Sequence, residues 1–127
     1  MKSRRIFYGL STALLALAMG GSAGMKLTRA EPLVQGMEHL GFPSYMMTIL
    51  GVWYAGAAVA ILVPGVPRIK EWAYAGITFA LSGAVFSHLT MGDPVAQWAP
   101  LLVLLPLTAV SYWLRPADRR LHLPHAE

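Results

Sequence analysis

The sequence predicts an all-α protein, a four-helix transmembrane bundle with a short interfacial helix in its first loop. Three observations carry this. Four long stretches, residues 6–25, 40–67, 72–92 and 94–114, hold no Lys, Arg, Asp or Glu, so every formally charged side chain falls outside them. About twenty apolar residues are enough to cross a bilayer core as a helix. Hydrophobic residues make up 56% of the chain and charged ones 13%, about half the roughly 25% of soluble domains. A domain of 127 residues has too little interior to hide that much apolar surface, because surface grows relative to volume as chains shrink. The third observation is the placement of cations. Eight of the ten Lys and Arg lie in the N-terminal segment (Lys2, Arg4, Arg5), the connection between spans two and three (Arg68, Lys70) and the tail (Arg115, Arg119, Arg120), against only Lys26 and Arg29 in the other connections. The positive-inside bias then puts both termini in the cytoplasm of a bacterial inner membrane. One membrane domain is expected over residues 5–120, with cytoplasmic tails at 1–4 and 121–127.

Span one carries Gly9, Ala13, Ala16, Gly20 and Gly24 at steps of three and four, which stack on one face of a helix. Small faces let helices approach closely in lipid, where apolar burial no longer drives association. The basic start, apolar run and small residues Gly21-Ser22-Ala23 also fit a cleavable signal peptide, which would leave three spans. The run is longer than a usual signal core, and the uncleaved reading is preferred. In the connection 26–44, Pro32 suits a first helical position and Gly41 the left-handed residue beyond the end. Leu33, Val34, Met37 and Leu40 form one apolar face between them, the pattern of an amphipathic helix at the outer interface.

Ser44 is the expected cap of span two, whose small set is Gly51, Ala55 and Ala58, and Pro64-Gly65 closes it. Span three starts with Trp72 and Tyr74 as interfacial aromatics and carries Gly76, Ala80, Gly83, Ala84 and Ser87. Gly20, Gly24, Gly83 and Ala84 are expected to face other helices. Asp93-Pro94 reads as cap and first position of span four. Pro106 removes a backbone donor mid-span and predicts a bend, and Trp113 with Arg115 anchors the exit.

The chain has no cysteine, which removes disulfides, thiol nucleophiles and thiolate metal sites. It also lacks a glycine-rich phosphate loop, a paired-carboxylate site and HExxH. The net charge of +4 would suit nucleic acid in a soluble protein; clustered at span ends it is better explained by orientation, and no nucleic-acid partner is expected. Met19, Met25, Met37, Met46, Met47 and Met91 all map to the outer half. Thioether and imidazole suit Cu(I), but methionine is more often a flexible filler, and no metal is expected.

His88 is the single acidic, basic or imidazole group inside a span, and such groups at membrane depth usually have a role. Around the same outer end gather Lys26, Glu38, His39, Tyr45 and Asp93. His88, Asp93, Glu38, His39 and Lys26 are therefore the candidate ligand-binding residues, able to orient a polar head group or a quinone carbonyl. The competing reading is ordinary interfacial anchoring.

The run Arg68-Ile69-Lys70-Glu71-Trp72-Ala73-Tyr74-Ala75-Gly76, continuing through Leu81-Ser82-Gly83-Ala84 to Ser87-His88 and Gly92-Asp93, with Lys26-Leu27 and Leu40-Gly41-Phe42-Pro43, resembles the DoxX-like family within the DoxD/DoxX superfamily of small bacterial membrane proteins. The resemblance covers roughly residues 5–120. It implies a four-helix membrane domain and, weakly, association with quinone-linked redox complexes. It also implies a Lys after the span-two Trp and an acid before the Leu-x-Gly-Ala step. Here these are Tyr54 and Ala80, so a charged intramembrane pair does not carry over.

The expected function is that of a small accessory subunit or a binding module for a lipophilic ligand, quinone or lipid, in contact with the bilayer, without catalytic residues of its own. Alternatives are a subunit of a quinone-linked membrane oxidoreductase and a small transporter or channel, the latter disfavoured by spans without carboxylates. Partner subunits or a homo-oligomer are compatible with the small faces.

Overall fold

The computed structural model describes residues 2–122. Among them it is all-helical: α1 (Lys2–Leu27), α2 (Glu31–Leu40), α3 (Tyr45–Leu62), α4 (Pro67–Thr90), α5 (Val95–Trp113) and a 3-10 turn, Ala117–Arg119. The first turn of α1 includes residues 2–4, ahead of the expected boundary, while Met1 and residues 123–127 of the expected tails lie outside the described residues. Helices α1, α3 and α5 are long and apolar enough to cross a membrane. Helix α4 is also long, at 24 residues, but Arg68, Lys70, Glu71, Thr78, Ser82, Ser87 and His88 make it less apolar.

The four longer helices form a ring in which α1 packs on α3 and α5, and α4 packs on the same two. Gly20 faces Ala58 while Gly51 faces Lys26 and Leu27, so α1 and α3 run antiparallel. Contacts of Thr12 with Ser111 and of Arg4 with Trp113 make α1 and α5 antiparallel. Those of Glu71 with Arg115 and of His88 with Asp93 do the same for α4 and α5. One end of the ring thus holds the start of α1, the α3–α4 turn and the chain after α5. The other holds α2 and the α4–α5 turn. We call these the terminal end and the α2 end.

Leu15, Met19, Ile61, Ile77 and Leu81 fill the centre with Ala16, Ala58 and Tyr74. Phe79, Phe86, Leu17 and Trp53 point outward, each more than 60% exposed, and an apolar exterior of this extent marks a contact with lipid or protein.

Local signals are met in part. Pro32 lies in the first turn of α2, and Gly41 ends it in the left-handed region (φ 81), its N–H bonding toward the carbonyls of Met37 and Glu38. The α3–α4 turn places both Gly65 (φ 72) and Val66 (φ 44) in that region. Val66 has a branched Cβ that clashes there, so the turn is strained at that residue. Ser44 precedes α3 but is itself helical and makes no side-chain cap. Asp93 does not cap α5; Pro94 occupies the N-cap position, because the Asp93 carboxylate is engaged elsewhere. Helix α5 continues through Pro100 and Pro106.

The small faces are corrected. Gly51, Ala58 and Ala16 are buried and Gly20 faces Ala58, but a Cβ added at Gly9, Gly24, Gly76 or Gly83 would meet nothing within 4 Å. Large side chains, Leu15 and Met19 on α1 and Ile77 and Leu81 on α4, fill the centre, which leaves Gly9, Gly24 and Gly83 without a close helix contact. Leu104 packs against this core.

Candidate functional site

At the α2 end, α2 and the last turn of α4 each aim an imidazole at the α4–α5 turn. Asp93, its side chain only 6% exposed, receives both. His39 Nε2 lies 2.6 Å from Oδ1 and His88 Nδ1 lies 2.7 Å from Oδ2. The hydrogen bond from His88, then that from His39, holds the Asp93 carboxyl below its usual value, against the opposing effect of burial. An ionised carboxylate only accepts, so each facing ring nitrogen must carry the proton. That leaves His39 Nδ1 and His88 Nε2 as the nitrogens not committed to Asp93. In a neutral ring these accept a hydrogen bond; in a charged ring they donate one. The Asp93 main-chain carbonyl accepts from Trp98 Nε1 at 3.3 Å, which ties the turn to α5.

Three of the five candidate residues are thus brought together: His39, His88 and Asp93. The other two are not. Lys26 is buried, donates to Ser22 Oγ at 2.6 Å and sits 4.6 Å from the centre of the Tyr54 ring. It is held against α3 by the close approach of α1 at Gly51. Glu38 is exposed, and among the described residues it makes no side-chain hydrogen bond or ion pair. It lies one residue before His39 and so points about 100° away around α2. Tyr45 is also exposed. Met19, Met37 and Met47 are buried in packing. Among the described residues no group of three His, Asp or Glu is arranged to hold a metal ion.

Replacing Asp93 by Ala is expected to release α2, whose His39 is linked to the α4–α5 turn through that carboxylate. Amide exchange across Glu31–Leu40 should rise on the order of tenfold, the scale of one hydrogen bond to a charged group, with little change in α1. Unchanged exchange in α2 would show that the Asp93 bonds do not hold it. Because the folded carboxyl is depressed, the stability it contributes is fully present above the ordinary value of 3.8 and is lost as pH falls through the folded value.

A cleft of about 630 Å³ lies between α3 and α4. Gly56, Ala57 and Ala60 on α3 face Ala73, Gly76 and Ala80 on α4, and the missing side-chain volume leaves the space; Trp53, Tyr54 and Trp72 frame it. Tyr54 and Ala80, the positions where the family resemblance implied a charged pair, line the same cleft from opposite helices. His39, His88 and Asp93 do not line it.

The terminal end holds a polar network that the sequence reading missed. Lys70, counted there as a loop cation, is fully buried and donates to the carbonyls of Ala60 (2.5 Å) and Val63 at the end of α3. Arg115, expected as an exit anchor, is 4% exposed. It pairs with Glu71 at 2.8 Å and lies 4.1 Å from the Tyr112 ring centre. Burial alone would raise the Glu71 carboxyl, yet Arg115 and the Tyr112 hydroxyl (2.7 Å) hold it below its usual value. Tyr74, expected at the interface, is buried and shares Ser111 Oγ (2.7 Å) with Thr12 (2.6 Å), which joins α1, α4 and α5. Trp72 does face outward, at 77% exposure. No local signal in the sequence groups these three: Thr12, Tyr74 and Ser111 lie seventh, third and fourth from the terminal-end limits of their apolar stretches.

A sequence model of the DoxX-like family matches residues 10–111. No curated protein and no solved structure matches the chain.

Proposed function

Because the chain belongs to the DoxX-like family, we propose that it is a four-span inner-membrane protein that holds a lipophilic ligand, a quinone ring or a lipid chain, and serves as an accessory subunit without catalysis of its own. The observation that carries the binding role is the α3–α4 cleft. Its volume of about 630 Å³ falls within the roughly 300–1,000 Å³ of small-molecule sites, and small residues share its apolar walls with Met19, Val52, Ile69 and Ile77, edged by three aromatic rings.

The ring topology supports a fourth span. Helices α3 and α5 are both antiparallel to α1, so they point the same way. If both cross the bilayer, the connecting α4 must cross back between them. At 24 residues it is about 36 Å long, enough for a core of roughly 30 Å. The cation bias supports the orientation with both termini cytoplasmic. Lys70 and Arg115 are internal, but Lys2, Arg4, Arg5, Arg68, Arg119 and Arg120 remain near the terminal-end surface. Reporter fusions at residues 30, 66, 92 and 122 are expected to read outside, inside, outside and inside.

The binding role is tested by mass spectrometry of lipids and quinones that co-purify in mild detergent. Gly76→Phe, which fills the cleft, is expected to reduce ligand occupancy about tenfold, while Val103→Phe on the outward face of α5 leaves it unchanged. A second reading, favoured by the two ring nitrogens that Asp93 leaves uncommitted, places the ligand's polar head against His88 and His39. Loss of ligand from His88→Leu with Gly76→Phe neutral supports that reading. Retention by both variants, or no bound ligand in the unmodified protein, rejects the binding role.

A further inference from the structure

A second cavity, about 460 Å³, lies at the terminal end where the start of α1 meets the chain leaving α5. Lys2, Arg4 and Arg5 line it together with Leu114, Pro116 and Ala117. None of these lining residues is acidic, and none of the three cations takes part in an ion pair among the described residues. Arg4 donates to the Trp113 carbonyl at 3.1 Å and so holds α1 to the end of α5. Three cations within four residues repel one another. They also stand at the positive end of the α1 macrodipole, where an anion is the stabilising partner. Directly along α1 from this cavity, Ile6 and Leu10 face outward at 58% exposure each, and Val110 of α5 is 40% exposed. A cationic hollow opening onto an apolar track is the complement of a molecule with an anionic head and hydrocarbon tails.

We propose that this cavity binds the head group of an anionic phospholipid, its phosphate against Lys2, Arg4 and Arg5 and its acyl chains along Ile6, Leu10 and Val110. The inference rests on the reading that α1 crosses the bilayer, and the leaflet is the cytoplasmic one, where anionic lipids meet basic segments.

The test is native mass spectrometry of the full chain in detergent with phosphatidylglycerol or phosphatidylcholine added. Each exposed basic side chain near a membrane contributes roughly fivefold to anionic-lipid binding, so removing two is expected to cost about twenty-five-fold. Phosphatidylglycerol adducts should therefore persist on the unmodified protein and fall by about that factor in Lys2→Ser/Arg5→Ser. That variant spares Arg4, whose bond to Trp113 is structural. Arg29→Ser, a cation at the α2 end, should bind as before, and equal melting midpoints confirm that the folds are intact.

Equal adducts of the two lipids, or a double variant that binds like the unmodified protein, overturns the proposal. So does displacement of the lipid by millimolar inorganic phosphate, which would make this a free-phosphate site, and so does a purified chain that lacks residues 2–5. Orientation fails separately. If the residue 122 fusion reads outside while phosphatidylglycerol still binds through Lys2 and Arg5, the head-group site stands and the topology falls.

Discussion

Replacing Lys70 by methionine is expected to destabilise the protein by about 2–4 kcal/mol. The side chain is fully buried and donates to the carbonyls of Ala60 and Val63, at the end of α3. A thioether can donate to neither, and a buried carbonyl left without a partner costs about 1–3 kcal/mol. The ammonium group also offsets the negative end of the α3 macrodipole. Thermal unfolding in mild detergent measures the loss, and a melting midpoint unchanged from the parent would sink the assignment.

The pH dependence gives an independent arm. Burial, then the charges of Arg119 and Arg115, pushes the Lys70 amine down from 10.5 to about 8, with Asp118 opposing. Between those two values the unfolded chain binds the proton more tightly than the folded one, so the Lys70 contribution to stability rises with pH across that window. The neutral amine still has two N–H groups for the two carbonyls. The stability gap between parent and Lys70→Met is therefore expected to widen from pH 8 to 10.5. A gap that stays constant or narrows would show that the buried ammonium carries no such penalty.

The second large effect is expected at Gly51. A Cβ there would lie 2.8 Å from both Cγ and Cδ2 of Leu27 and 3.4 Å from Cβ of Lys26. Leu27 is 47% exposed and can swing aside for a methyl group, so Gly51→Ala should be mild. Gly51→Leu forces α1 and α3 apart beside the buried Lys26, and overpacking of this kind costs about 1–3 kcal/mol. Gly83→Leu, at a site with nothing within 4 Å, should be nearly neutral. Comparable melting of the two leucine variants would show that the α1–α3 contact is not close at Gly51.

That the chain is all-helical and apolar was legible in the sequence because charge placement is a one-dimensional property. A charged residue either falls inside an apolar stretch or it does not, and α1, α3, α4 and α5 each overlap one stretch. Even so, α1 and α4 start four and five residues ahead of theirs, and α3 is five residues shorter at each end. The α2 helix was legible from Pro32 and Gly41, since backbone restrictions at proline and glycine act within a single turn. Caps were less so. Ser44 and Asp93 had the right chemistry in the right place, but Asp93 had two imidazoles competing for its carboxylate, one of them 54 residues away.

For the candidate site, sequence grouped His39, His88, Asp93, Lys26 and Glu38 at one end of the molecule. The fold joins the first three, while it turns Lys26 toward Ser22 and Tyr54 and leaves Glu38 on the surface. Depth along a span can be read from residue count. Direction around the helix axis cannot be read without knowing which helices are neighbours. The same ambiguity hid that Gly24 and Gly83 make no close helix contact, because the centre of the ring is filled by Leu15, Met19, Ile77 and Leu81.

The sequence by itself determined that this chain is helical and apolar, which stretches its long helices occupy, which end carries the cations, and its family. Tertiary structure alone decided which cations are internal. Lys70 and Arg115 look like the other basic residues at span ends. Only packing shows that one closes the end of α3 while the other joins α4 to α5 through Glu71. It also decided that facing small residues on α3 and α4 leave a cleft rather than a contact. The physical reason is common to both. Burial and hydrogen-bond partnership depend on contacts between residues far apart in sequence, whereas helix formation and bilayer compatibility depend on residues close together.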